Sequence, residues 1–175
     1  MGKAIYDRNN AIDFGAKMLE WRDPVPTGLP GVDKRIFYWG AQTGIPRGEY
    51  VVIGGRSSGG KTQFALHMMR QAANAGQDAM LLSYEERDES LQIRFYTALS
   101  DIPLSEWRPD RWTVEHADKL GKEAEAKRPR GQMAVQQMRG NVHNLLIELD
   151  RLKEHGCRFG CLDNLQLVQA DGFSP

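Results

Sequence analysis

Long apolar runs are missing from this sequence: the longest stretch without a charged residue is Ile36 to Pro46, well short of the ~18 apolar residues that a membrane-spanning helix needs. No transmembrane helix is expected. Cysteine is scarce as well. Cys157 and Cys161 are the only two in 175 residues, too few for a disulfide framework and better suited to a pair of buried thiols in a reducing compartment. With His143 and His155 they could be imagined as a zinc site, but the spacing follows no usual ligand pattern, and packed strand residues are the simpler reading. Neither sign of charge is in excess: 23 basic and 23 acidic side chains cancel, so no broad positive field points to nucleic acid, and only a local patch could serve it. The first 13 residues mix Lys, Asp and Arg without the apolar core of a signal peptide, and Tyr6 stands where a myristoylation signal requires Ser or Thr. A cytoplasmic protein is expected. No repeat of fixed period is visible.

What is present is an ordinary globular composition, 41% hydrophobic over 175 residues, enough for one domain. Residues 1–26 are polar and read as an arm or linker, with one short periodic stretch (Ile12, Phe14, Met18, Leu19) before Pro24 and Pro26. Glycines, two prolines and an aromatic group then make Thr27 to Gly48 a region of turns. Tyr50-Val51-Val52-Ile53, closed by Gly54 and Gly55, reads as a buried parallel strand. Phe64, Ala65, Met68, Met69 and Ala72 recur at helical spacing, with Gly76 as a C-terminal cap. Ala79 to Tyr84 is a second strand. Strand, helix and strand in this order form a βαβ unit, so the expected class is α/β with a mainly parallel sheet flanked by helices.

Beyond the unit, Ser90 precedes a helix carrying Leu91, Phe95, Ala98, Leu99 and Ile102, which Pro103 stops. Asp118 to Gly140 is rich in charge and shows little apolar pattern. Asn141 can cap a helix with an inner face of Val142, Leu145, Leu146, Leu149 and Leu152, ended by Gly156. Phe159 to Leu162 reads as a third buried strand ending at Asp163.

One segment carries chemistry plainly. Gly55-Arg56-Ser57-Ser58-Gly59-Gly60-Lys61-Thr62 fits the P-loop pattern, two glycines four residues apart followed by Lys and Ser or Thr. Glycines at 55, 59 and 60 permit the tight turn that points backbone N–H groups into one hollow, and the next helix presents its positive N-terminus there. Lys61 would serve the β- and γ-phosphates of ATP, and Thr62 would offer its hydroxyl to Mg²⁺. A P-loop also needs a carboxylate at the end of a neighbouring strand, and Asp163 meets that requirement. Glu85, at the exit of the second strand, is a candidate general base, set among Glu86, Arg87, Asp88 and Glu89.

Thr27-Gly28-Leu29-Pro30-Gly31-Val32-Asp33, the P-loop, Ser83-Tyr84-Glu85, Ile102 to Trp107, and Cys161-Leu162-Asp163-Asn164-Leu165-Gln166-Leu167 run in the order seen in DnaB-type replicative helicases. Over residues 27 to 169 the sequence resembles their RecA-like motor domain. Asp163 to Leu167 is the most telling match, since the family has Asp-Tyr-Leu-Gln-Leu at its magnesium-binding strand. Arg56 also falls where the family commonly has Arg. The resemblance implies ATP and Mg²⁺ as cofactors, Glu85 as catalytic glutamate beside Lys61, Asp163 as the Walker B aspartate, and a ring of subunits, a hexamer, on single-stranded DNA. It implies an incomplete domain over 27–175, because the family's DNA-contacting loops, a further strand and the arginine finger come later. The enzyme class implied is ATP hydrolase and DNA helicase, with turnover by these 175 residues alone left open. A KaiC-like or RadA-like ATPase is the alternative, favoured by Gly44-Ile45-Pro46-Arg47-Gly48 and the Glu85-Glu86 pair. A nucleotide-binding module without turnover is the third reading.

Overall fold

The computed structural model describes residues 8–9, 11–13, 16, 24–36, 44–46 and 48–168. The chain divides into two compact units, residues 1–54 and 55–175.

In the first unit, residues 8–9, 11–13 and 16 are helical, and the rest of the expected periodic stretch lies outside the described residues. The region read as turns contains a helix, α1, over Pro30–Ile36. Pro30-Gly31 looks like a turn in sequence, yet proline suits the first helical position, where its missing N–H has no intrahelical partner to lose. Its entry is tied by buried groups: the Thr27 N–H donates to Asp33 Oδ1 at 2.8 Å, and the Leu29 N–H donates to Thr27 Oγ1 at 3.2 Å. Val25 and Ile45, both buried, form one antiparallel bridge. Gly44 permits it, because a Cβ there would sit 2.6 Å from the Val25 carbonyl oxygen.

The strand expected at residues 50–53 is not formed. Tyr50 is 97% exposed and Val52 91%, and no strand pairs with them among the described residues. An apolar run becomes a buried strand only where neighbouring strands accept its backbone groups. The run here has apolar side chains without that partner.

The second unit is built on three parallel strands in the order β2-β1-β3. They are β1 (Ala79–Ser83), β2 (Met133–Gln137) and β3 (Phe159–Asp163). Leu81 lies opposite Val135 on one side and Cys161 on the other, and Ser83 opposite Gln137 and Asp163. Central β1 is buried at every residue, as a strand covered on both faces should be. On one face lie α2 (Lys61–Asn74) and α3 (Asp88–Ser100). Ala65, Leu66, Met68, Met69, Ala72 and Ala73 form the buried side of α2, including the helical positions read from sequence. On the other face Met80, Leu82, Met138 and Leu145 make a cluster against which Tyr84, Leu152, Leu162 and Val168 pack.

The charged segment 118–140 holds two elements with little apolar signature. Helix α4 (Val114–Ala126) opens with a capping box between Thr113 and His116 and has no buried residue. It packs against α3 beside a ladder of half-buried rings. Tyr96 stacks on Trp107 at 6.3 Å, Trp107 meets Trp112 at 4.6 Å, and Trp112 meets His116 at 5.4 Å. At its far end Lys127 donates to the Leu99 carbonyl and pairs with Glu123. The second element, β2, contains the Met133-Ala134-Val135 remnant and lies at the sheet edge with no fully buried residue.

Helix α5 (Val142–Glu154) starts at an Asn141 capping box, and Gly156 follows in the left-handed region at φ 79°, both as expected. Its inner face is narrower than the leucines suggest. Leu145, Leu152 and Glu148 are turned inward, whereas Val142, Leu146 and Leu149 are exposed. Among the described residues no helix is long and apolar enough to cross a membrane.

Candidate functional site

The glycine loop turns through two left-handed residues, Ser58 at φ 59° and Gly60 at φ 82°. It is closed by the Gly59 N–H donating to the Arg56 carbonyl at 3.0 Å. Gly59 is required by space, since a Cβ would stand 2.9 Å from that carbonyl oxygen. Gly60 delivers the chain into α2 without a side-chain cap, which leaves the first N–H groups of the helix available to an anion. Residues 55 to 60 are exposed, so Gly55, Arg56, Ser57, Ser58, Gly59 and Gly60 all line an open surface. The Lys61 ammonium folds back onto the loop, donating to the Gly55 carbonyl at 3.2 Å and the Arg56 carbonyl at 3.0 Å.

Thr62 and Asp163, 101 residues apart in sequence, meet. The Thr62 hydroxyl donates to Asp163 Oδ2 at 2.7 Å. Helix α2 brings one and the C-terminal end of β3 brings the other. Asp163 is only 9% exposed. Two oxygen donors at this separation, one ionised, suit a hard cation such as Mg²⁺, which usually takes one or two protein oxygens and keeps several waters.

Glu85 leaves the same strand edge, two residues beyond the Ser83–Asp163 pair. It is exposed, and its carboxylate has no hydrogen bond or ion pair among the described residues. Glu86 is committed elsewhere, its Oε2 accepting from Arg94 Nε at 2.9 Å. The loop, Thr62 and Asp163 thus come together as the sequence suggests, and of the two neighbouring glutamates Glu85 is the unpaired one. Ser83 and Arg94 hold this turn; the sequence shows Ser83 only as part of the Ser83-Tyr84-Glu85 motif, with no role of its own, and gives Arg94 no signal. A serine two residues before an acidic turn was the available signal.

The imagined zinc site is not assembled: among the described residues no group of three His, Cys, Asp or Glu side chains could hold a metal, and both cysteines are free. Cys161 packs toward α2, its Sγ 3.9 Å from the Ala65 carbonyl. Withdrawal from water pushes its thiol from the usual 9.0 up to about 12, with the Asp163 and Cys157 charges adding to the shift. Burial raises Cys157 as well. A raised thiol favours the folded state while both forms stay protonated. For Cys161 that advantage is lost as pH rises from about 9 to about 12, by at most about 1.4 kcal/mol per pH unit. Cys161 is therefore expected to resist iodoacetamide at pH 8 in the native chain and to react once guanidinium unfolds it. Equal labelling in both states, read by mass spectrometry, would contradict its placement.

A family model described as the DnaB-like helicase C terminal domain matches residues 25–174. A solved structure described as the ATPase domain of G40P superposes with a TM-score of 0.73 at 21% sequence identity, over 98% of this chain and 62% of that one. The chain thus spans less than two thirds of the length of that structure, and the likeness shows the fold alone, a RecA-like α/β fold. No curated protein sequence matches the chain. The chain belongs to the family of DnaB-like helicase C-terminal domains.

Proposed function

We propose that the chain is motor-domain sequence of an ATP-dependent DNA helicase, in which residues 27–175 work behind an arm or linker of residues 1–26. The reading rests on one contact, the Thr62 hydroxyl on Asp163, because it puts the residue after the loop lysine beside a strand-end carboxylate. Residues 55 to 61 are the P-loop for ATP phosphates, with backbone N–H groups and the Lys61 ammonium as donors. Thr62 and Asp163 hold Mg²⁺, which when bound neutralises charge on the phosphates. Glu85 orients the attacking water and accepts its proton. Lys61 supplies positive charge to the transferring phosphoryl group. As in the wider family, the working form is a cytoplasmic ring, a hexamer, that moves along single-stranded DNA during replication.

ATP hydrolysis by the full-length protein, with and without single-stranded DNA, tests this. A helicase is expected to be stimulated severalfold by DNA and to separate a forked duplex. A KaiC-like or RadA-like switch would hydrolyse ATP without that dependence and separate nothing. A binding module would show no turnover.

A further inference from the structure

The turn that carries Glu85 is fastened on both sides of it. Strand β1 ends at Ser83, which has no exposed surface. The Met138 N–H donates to the Ser83 carbonyl at 2.7 Å from one flank, and the Tyr84 N–H donates to the Asp163 carbonyl at 2.7 Å on the other. The Ser83 hydroxyl then accepts twice, from the Glu86 N–H at 2.9 Å and from the Glu85 N–H at 3.2 Å. Beyond it, Glu86 is held by Arg94, and the Asp88 carboxylate accepts the Gln137 N–H. Of Glu85, Glu86 and Asp88, Glu85 is the one that keeps a carboxylate without a partner among the described residues.

We infer that Ser83 is a positioning residue, whose hydroxyl fixes the turn so that the Glu85 carboxylate faces the nucleotide site, while Arg94 and Gln137 keep Glu86 and Asp88 out of it. The inference rests on the reading of Glu85 as general base. Here one buried oxygen takes both N–H groups that open the turn, and its loss would leave both to seek water and free the turn to rotate. Small displacements of a catalytic group are costly, since about 1 Å can reduce turnover about 100-fold. Threonine keeps the oxygen and suits a strand, so it should preserve the arrangement, whereas alanine removes it. Cysteine keeps the shape in a slightly larger side chain, with a much weaker acceptor.

The test is steady-state ATP hydrolysis by the full-length protein with saturating single-stranded DNA, alongside thermal melting. Ser83→Ala is expected to lower kcat by about 10- to 100-fold with KM and melting temperature nearly unchanged, and Ser83→Thr to restore most of the rate. Ser83→Cys is expected to fall as Ser83→Ala does, and it serves in its place if the alanine variant does not fold. An unchanged kcat, a loss of rate that follows a loss of stability, or a failure of threonine to restore the rate overturns the positioning role. Glu85→Gln is run in parallel. If it turns over like wild type, the general-base reading falls and this inference with it. If Glu85→Gln is inactive while Ser83→Ala is normal, only the inference falls.

Discussion

Lys61→Ala is expected to weaken Mg²⁺-ATP binding by about a hundred-fold or more while leaving the fold intact. In the described state the Lys61 ammonium donates only to two neutral carbonyls of its own loop, at 3.2 and 3.0 Å. These bonds are exposed, so water replaces them at little cost when the side chain is removed. Against phosphate oxygens the same ammonium would make charge-assisted bonds, worth about 1.5–3 kcal/mol each. Two of them amount to about 3 kcal/mol or more, which at 1.4 kcal/mol per decade is at least about a hundred-fold in Kd. Calorimetric titration of ATP, with and without Mg²⁺, separates the outcomes. Equal affinity for wild type and variant would remove the phosphate-binding assignment of residues 55 to 62.

Asp163→Asn is expected to uncouple stability from function in the opposite sense to most buried substitutions. The Asp163 carboxylate is nearly buried, and the Thr62 hydroxyl donates to it. No ion pair reaches it among the described residues. Asparagine keeps an oxygen for Thr62 and removes the charge, which relieves the cost of holding an ionised group out of water. Thermal stability should therefore stay the same or rise. If Asp163 holds Mg²⁺ as proposed, the metal would lose a charged ligand, and the Mg²⁺-dependent part of ATP affinity should fall by at least about tenfold, or about 1.4 kcal/mol. A variant that melts several degrees lower and still binds ATP in a Mg²⁺-dependent manner would show that Asp163 is structural.

Legibility of the sequence followed the local physics of each element. Helix α2 has a buried side six residues wide, and β1 is buried throughout, so both announce themselves by apolar pattern. The left-handed turns at Gly76 and Gly156 mark helix ends for the same reason that only glycine adopts them without strain. Helix α4 buries nothing and β2 lies at the sheet edge, so neither needs a continuous apolar face. The run at residues 50–53 fails in the other direction, because its composition reports a capacity for burial while pairing depends on a neighbour. In α5 the leucines overstate the inner face, since Glu148 occupies a buried position while Leu146 and Leu149 are exposed. At the site, the meeting of Thr62 with Asp163 was legible because the glycine loop fixes where α2 begins and strand order fixes where β3 ends. The hydrogen bonds of Ser83 and Arg94 were not, because bonds to a turn leave no periodic trace.

The attachment of α4 sets the order in which the second unit comes apart. A helix with no buried residue contributes little apolar stabilisation, and segments of that kind open at free energies well below global unfolding. What holds α4 is concentrated at its two ends, in the ring ladder from Tyr96 to His116 and in the Lys127 contacts with Leu99 and Glu123. Its release breaks no bond to Lys61, Thr62 or Asp163, so the half of the unit that carries the glycine loop can persist while this helix swings free. Trp112, whose ring meets His116 of α4 at 5.4 Å, gives that motion a built-in optical marker that is separate from nucleotide occupancy.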